Sequence, residues 1–148
     1  MRKIFVSACL WGENCKYNGG NNLRESLQKE LEGCEVVLVC PECMGGLSTP
    51  RTPSEIEKGF DGTNVVTGKG RVINSAGEEV TEQFLNGAVR TLELAKEHMP
   101  EKIYLKQGSP SCGFGKIYDG TFSGTKKQGD GVTAALLKKH GFNVIAVE

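Results

Sequence analysis

The sequence predicts an α/β fold, a Rossmann-like three-layer sandwich with a mainly parallel four-stranded sheet plus a small β-hairpin. Three observations carry that expectation. Short apolar runs rich in strand formers recur at residues 3–8, 35–40, 102–107 and 142–147. Segments with helical apolar spacing separate them, as strands joined by right-handed crossovers require. Long glycine-rich loops follow two of the runs, at the sheet edge where open α/β folds bind ligands.

Taken in order, Ile4-Phe5-Val6 opens the first strand. Asn21 and Asn22 are expected caps for a helix whose apolar residues fall at Leu23, Leu27 and Leu31 and which Gly33 ends. Val36-Val37-Leu38-Val39 forms the second strand, and a Pro/Gly-rich loop runs from Pro41 to Pro53. A short helical stretch is expected from Ser54. Val65-Val66-Thr67 and Arg71-Val72-Ile73, around Gly68-Lys69-Gly70, read as the hairpin. Thr81 is the expected cap of a long helix over roughly 82–98, with Phe84, Leu85, Ala88, Val89, Leu92 and Ala95 on one face and Pro100 as its stop. After the third strand comes a loop over 108–129, then a helix near 130–140 and the last strand. Loops longer than about 12–15 residues in a compact domain are usually functional or disordered, and apolar residues punctuate both of these.

Residues 1–148 read as one α/β domain, long enough to build a core without disulfides. Eighteen basic residues balance eighteen acidic ones, so neither a nucleic-acid polymer nor a membrane surface is an expected partner. No run approaches the ~18 apolar residues of a membrane span. A strand-like run begins almost at once, so a cytoplasmic location is expected, where six cysteines read as thiols, metal ligands or catalysts. Nothing in the sequence specifies an oligomeric state.

Cys9 and Cys40 end strand-like runs, and Cys112 lies just beyond a third, so all three are expected at one edge of a parallel sheet. Converging thiolates suit a soft metal or an iron–sulfur cluster. Other readings fit less well. Cys9 followed by Cys15-Lys16 lacks the arginine, six positions on, with which a cysteine phosphatase grips phosphate. Cys40-Pro41-Glu42-Cys43 has the spacing of a thiol redox motif or half a zinc site, but no second such pair exists and Gly45-Gly46 make a poor helix start. Gly129-Asp130-Gly131-Val132-Thr133-Ala134 follows a loop, not a strand, and reads as a turn and helix cap rather than a dinucleotide fingerprint. Cys34, His98 and His140 read as structural. Glu42 is placed to act as a base near bound metal, and Tyr17 and Tyr118 sit in turns where their rings would line a planar ligand.

The motifs Cys9-Leu10-Trp11-Gly12, Tyr17-Asn18-Gly19, Cys40-Pro41-Glu42, Gly45-Gly46-Leu47, Pro50-Arg51, Ser109-Pro110-Ser111-Cys112-Gly113 and Tyr118-Asp119-Gly120-Thr121-Phe122 together carry a resemblance. The chain resembles the thiouracil desulfurase (TudS) family over nearly its whole length. That resemblance implies a [4Fe-4S] cluster held by Cys9, Cys40 and Cys112, with Glu42 and Ser109 in acid–base roles. Tyr17, Asn18, Ser111 and Gly113 become candidate substrate-binding residues. Many relatives carry aspartate at the position of Asn18, so only a hydrogen-bonding role carries over there. The implied reaction is non-redox removal of sulfur from a small thiolated compound, a thiouracil-type base, with water replacing sulfide. The alternative is a thiol redox or metal- or sulfide-binding protein using Cys40 and Cys43.

Overall fold

In the computed structural model, which describes residues 2–148, four parallel strands form the central sheet. They are β1 (Lys3–Ser7), β2 (Glu35–Val39), β5 (Lys102–Lys106) and β8 (Val144–Val147), in spatial order β2-β1-β5-β8. Successive strand residues point to opposite faces, and the core divides accordingly. Phe5, Ile103 and Leu105 pack against α4 (Thr81–His98) and α5 (Val132–Lys139), through Leu92, Ala95, Ala134 and Leu137. Ile4, Val6 and Tyr104 face the other way, onto Leu27 and Leu31 around α1 (Glu25–Glu30) and onto Leu10. Helices thus cover both faces of a parallel sheet, which is the expected three-layer arrangement.

Several local expectations fail. α1 begins at Glu25 behind Arg24, so neither Asn21 nor Asn22 caps it, and Val80 rather than Thr81 holds the cap position of α4. Residues 62–66 are helical, not the first arm of a hairpin: α3 (Gly62–Val66) starts at an Asp61 cap. Asp61 accepts from the Asn64 backbone N–H at 3.2 Å, and Asn64 returns a bond to the Asp61 N–H at 3.0 Å. That reciprocal box outweighs the strand propensity of Val65 and Val66. The stretch from Ser54 is a strand instead of a helix. β3 (Ser54–Ile56) pairs antiparallel with β4 (Val72–Asn74), so a partner distant in sequence overrides the local helix-start signal. Within the loop 108–129 lies a further hairpin, β6 (Lys116–Tyr118) with β7 (Lys126–Gln128).

The long loop after β2 is also more ordered than expected. It begins with a single helical turn, α2 (Pro41–Met44), which Cys40 caps and which has Pro41 in its first position. α2 lies backbone to backbone on α4. A Cβ on Gly45 would collide with the Gln83 carbonyl, and one on Gly87 with the Pro41 carbonyl. No helix among the described residues is long and apolar enough to cross a membrane.

Candidate active site

From β1 the chain moves to β2 on one side, and β5 lies on the other, so the connections diverge above β1 and β5. Such a switch point opens a crevice at the carboxyl ends of the strands. A cavity of about 440 Å³ lies there, within the size range of small-molecule sites. Ser7 and Cys9 come to it from the end of β1, Val39 and Cys40 from β2, and Lys106 and Gln107 from β5.

Cys9, Cys40 and Cys112 all line this cavity, and so does Cys15. Each of the first three is held by a different device. Cys9 lies in a short 3-10 turn after β1, and its Sγ accepts from Asn22 Nδ2 at 3.5 Å. Cys40 is fixed by the α2–α4 contact. Cys112 rides on a loop that the start of α5 grips, where Val132 and Thr133 donate to the Pro110 and Ser111 carbonyls at 2.7 and 2.9 Å. The Gly129–Ala134 motif therefore serves as a helix start whose free N–H groups hold the cysteine loop.

The thiols influence one another. The neighbouring Cys15 thiol lowers Cys40 to about 6 and Cys9 to about 7 although burial opposes both shifts. Cys15 is raised in return, first by Cys40 and then by Cys9. Burial pushes Cys112 well above the usual thiol value, and the Glu42 carboxylate adds to the effect. All six cysteines are free thiols.

Beside the thiols runs a chain of polar contacts. Ser109 Oγ donates to Glu42 Oε2 at 3.0 Å, and Arg51 Nε donates to Glu42 Oε1 at 3.0 Å. Ser109 Oγ also accepts from the Ser111 and Cys112 backbone N–H groups at 3.0 and 3.1 Å, so its own proton is directed at Glu42. Arg51 is anchored in turn by the Cys15 carbonyl at 2.9 Å and by Thr49 Oγ1 at 3.0 Å.

Among the described residues, no three His, Cys, Asp or Glu side chains are set to hold a metal ion. That arrangement concerns ligands meeting at one ion, and an iron–sulfur cube, being wider, needs thiolates that stand farther apart. A donor set of cysteine sulfur, drawn from three strand ends around an open cavity, suits such a cube.

The family model for 2-thiouracil desulfurase matches residues 4–148. This chain belongs to that family. Membership makes it an enzyme of the sulfur-removing class. It is 48% identical over 143 residues to the uncharacterized protein YbbK of Bacillus subtilis (strain 168), covering 97% of this chain and 94% of the relative. Among solved structures it is similar to the [4Fe-4S]-dependent thiouracil desulfidase TudS, with a TM-score of 0.84 and 38% identity. That match covers 99% of this chain and 91% of the other.

Of the residues expected at the 2-thiouracil desulfurase site, Cys9, Cys40, Cys112, Glu42, Ser109 and Tyr17 line the cavity. Asn18, Ser111 and Gly113 do not, because each has local work. Asn18 Oδ1 accepts from the Gly20 N–H at 2.9 Å within its own turn. Ser111 Oγ is buried against Thr133 Oγ1 at 2.7 Å. At Gly113 any Cβ would press on the Ser109 and Lys116 carbonyls. Cys43 is also outside the lining and lies 3.4 Å from Thr49 Oγ1. Glu55, Lys106 and Gln107, which the sequence does not single out, complete the wall with Asn22, which it offers only as a helix cap. An isolated Glu, Lys or Gln carries no sequence signal, and folding alone gathers them.

Proposed function

We propose that this enzyme removes sulfur from a small thiolated heterocycle, a 2-thiouracil-type base, by a non-redox exchange in which water replaces sulfide. The observation that carries the proposal is one cavity in which cysteine thiols adjoin the Ser109–Glu42–Arg51 chain. Cys9, Cys40 and Cys112 would hold a [4Fe-4S] cluster. When bound, that cluster supplies a soft Lewis-acid iron, with a coordination position that three protein thiolates leave open to a thiocarbonyl sulfur.

The protein's own groups do the proton chemistry. Arg51 pins one Glu42 oxygen and so orients the carboxylate. Glu42 takes a proton from the water that attacks the thiocarbonyl carbon. Ser109, whose hydroxyl already points at Glu42, passes a proton onward to the ring nitrogen or to the developing intermediate. The carbon–sulfur bond breaks with its electron pair going to sulfur, which leaves as hydrosulfide, a carbon–oxygen bond takes its place, and no net electron transfer occurs. Tyr17 offers an aromatic surface at the cavity wall, against which a planar ring packs.

Anaerobic reconstitution with iron and sulfide, followed by incubation with 2-thiouracil, should give a cluster-bearing protein that releases sulfide and uracil. The Cys9→Ala, Cys40→Ala, Cys112→Ala triple variant should bind no cluster, and retention of one would overturn the ligand assignment. Glu42→Gln should keep the cluster while turnover drops by about 10²–10⁴. Cys43→Ala separates the alternative dithiol reading. Full activity in that variant is expected, and its loss would favour a Cys40–Cys43 redox couple.

A further inference from the structure

Glu55 is a carboxylate at the middle of β3, and only 8% of the residue is exposed. Its neighbour Ile56 points into the core, whereas Glu55 lines the cavity together with Cys9, Cys40 and Cys112. Its two oxygens are used unequally. Oε1 accepts from the Gly120 N–H at 2.9 Å and from the Phe122 N–H at 3.2 Å. Those amides belong to a tight turn with positive φ at both Gly120 and Phe122, a concave arrangement that suits an anion. Through that bond Glu55 holds the segment that brings Tyr118 and Phe122 to the cavity wall.

Among the described residues, Oε2 has no hydrogen-bond partner, and Glu55 joins no ion pair. Nor is that oxygen sealed inside the protein without a partner, and Glu55 is one of the residues that line the cavity. A carboxylate only accepts hydrogen bonds. An occupant that satisfies it must therefore carry an N–H or O–H, and leaving it unmatched is costly.

We propose that Glu55 is the residue that selects the substrate, its free Oε2 accepting a ring N–H of the thiolated base. This rests on the desulfuration reading above, in which a 2-thiouracil ring carries an N–H on each side of its thiocarbonyl. The acceptor favours free bases. A base alkylated on that nitrogen, as in a nucleoside, has no proton to give and places its substituent against a buried carboxylate.

The test uses the anaerobically reconstituted holoprotein, with uracil, 1-methyluracil and 3-methyluracil as calorimetric probes and 2-thiouracil as substrate. Wild type should bind one of the two methyluracils roughly tenfold or more weakly than uracil, the loss of a hydrogen bond to a charged group. Glu55→Gln retains a carbonyl for the Gly120 and Phe122 amides but turns its amide N–H toward the cavity. It should raise the KM for 2-thiouracil roughly tenfold, with kcat within about twofold, and erase the discrimination between uracil and its methyl derivative. The melting temperature should stay at the wild-type value, since the loop bond survives. Equal affinity of wild type for uracil and both methyluracils would overturn the proposal, as would an unchanged KM and uracil affinity in Glu55→Gln. The wild-type comparison stands even if the variant fails to fold. If uracil binding depends on Glu55 while 2-thiouracil yields no sulfide, recognition stands and the desulfuration reading fails. If sulfide is released and Glu55→Gln leaves that release untouched, desulfuration stands and selection by Glu55 fails.

Discussion

Arg51 ties the loop after β2 to the remote segment around Cys15. Its guanidinium reaches Glu42 on α2, the Cys15 carbonyl in the segment between β1 and α1, and Thr49 two residues away, and its side chain is only 8% exposed. Removing one partner of a buried ion pair strands the other charge, at about 3–5 kcal/mol when burial is complete. Glu42 keeps 17% exposure, so Arg51→Met should destabilise the fold by about 2 kcal/mol in urea unfolding. Arg51→Lys should recover most of that stability but little of the activity, because a point charge cannot orient a carboxylate as a planar fork does. An unchanged unfolding midpoint for Arg51→Met would show that the pair contributes nothing. The Pro50-Arg51 motif is visible in the sequence, but its role as Glu42's partner is not.

At the scale of elements, α2 and α4 explain where Cys40 sits. Gly45 and Gly87 let two backbones touch, and that contact sets the carboxyl end of β2 against the rest of the site. Gly87→Ala should force α2 outward, since the Pro41 carbonyl occupies the space a methyl would need. The expected consequences are a loss of about 1–3 kcal/mol in stability and a lower iron content after reconstitution. Arg90→Ala, on the exposed face of the same helix, is the control and should change neither. Iron content at the wild-type level in Gly87→Ala would mean that Cys40 does not depend on this packing. The start of α5 does comparable work for Cys112, through backbone bonds to the loop 110–113.

Across the whole molecule, metal-free thiols and cluster binding are linked through protons. Cluster binding requires thiolates, and Cys112, one of the proposed ligands, keeps its proton through the neutral range because it is buried and faces Glu42. Protons therefore compete with iron. The sign follows directly: lowering the pH favours the protonated, metal-free form, and raising it favours loading. Iron retained against a competing chelator should fall by about tenfold in apparent affinity per pH unit for each proton displaced. Retention that is flat across the range from about pH 6 to about pH 8 would show that no ligand thiol is protonated in the free protein. Loading should also raise the melting temperature, since a ligand that binds only the folded chain stabilises it.

The sequence by itself determined the layered α/β class, the four parallel strands, the long helix and the cysteines at strand ends, because period-2 and period-3.6 apolar patterns are local and survive without tertiary information. It misread 54–56 and 62–66, where β3 finds its partner in a later segment and the Asp61–Asn64 box competes with β-branched residues. Only the tertiary structure decided which neighbours of those cysteines share the cavity. Cys15, Arg51, Glu55 and Lys106 enter it, while Asn18, Ser111, Gly113 and Cys43 are taken up by turns and packing. The physical reason is that strand order and crossover geometry set distances between residues far apart in the chain, and no local pattern encodes them.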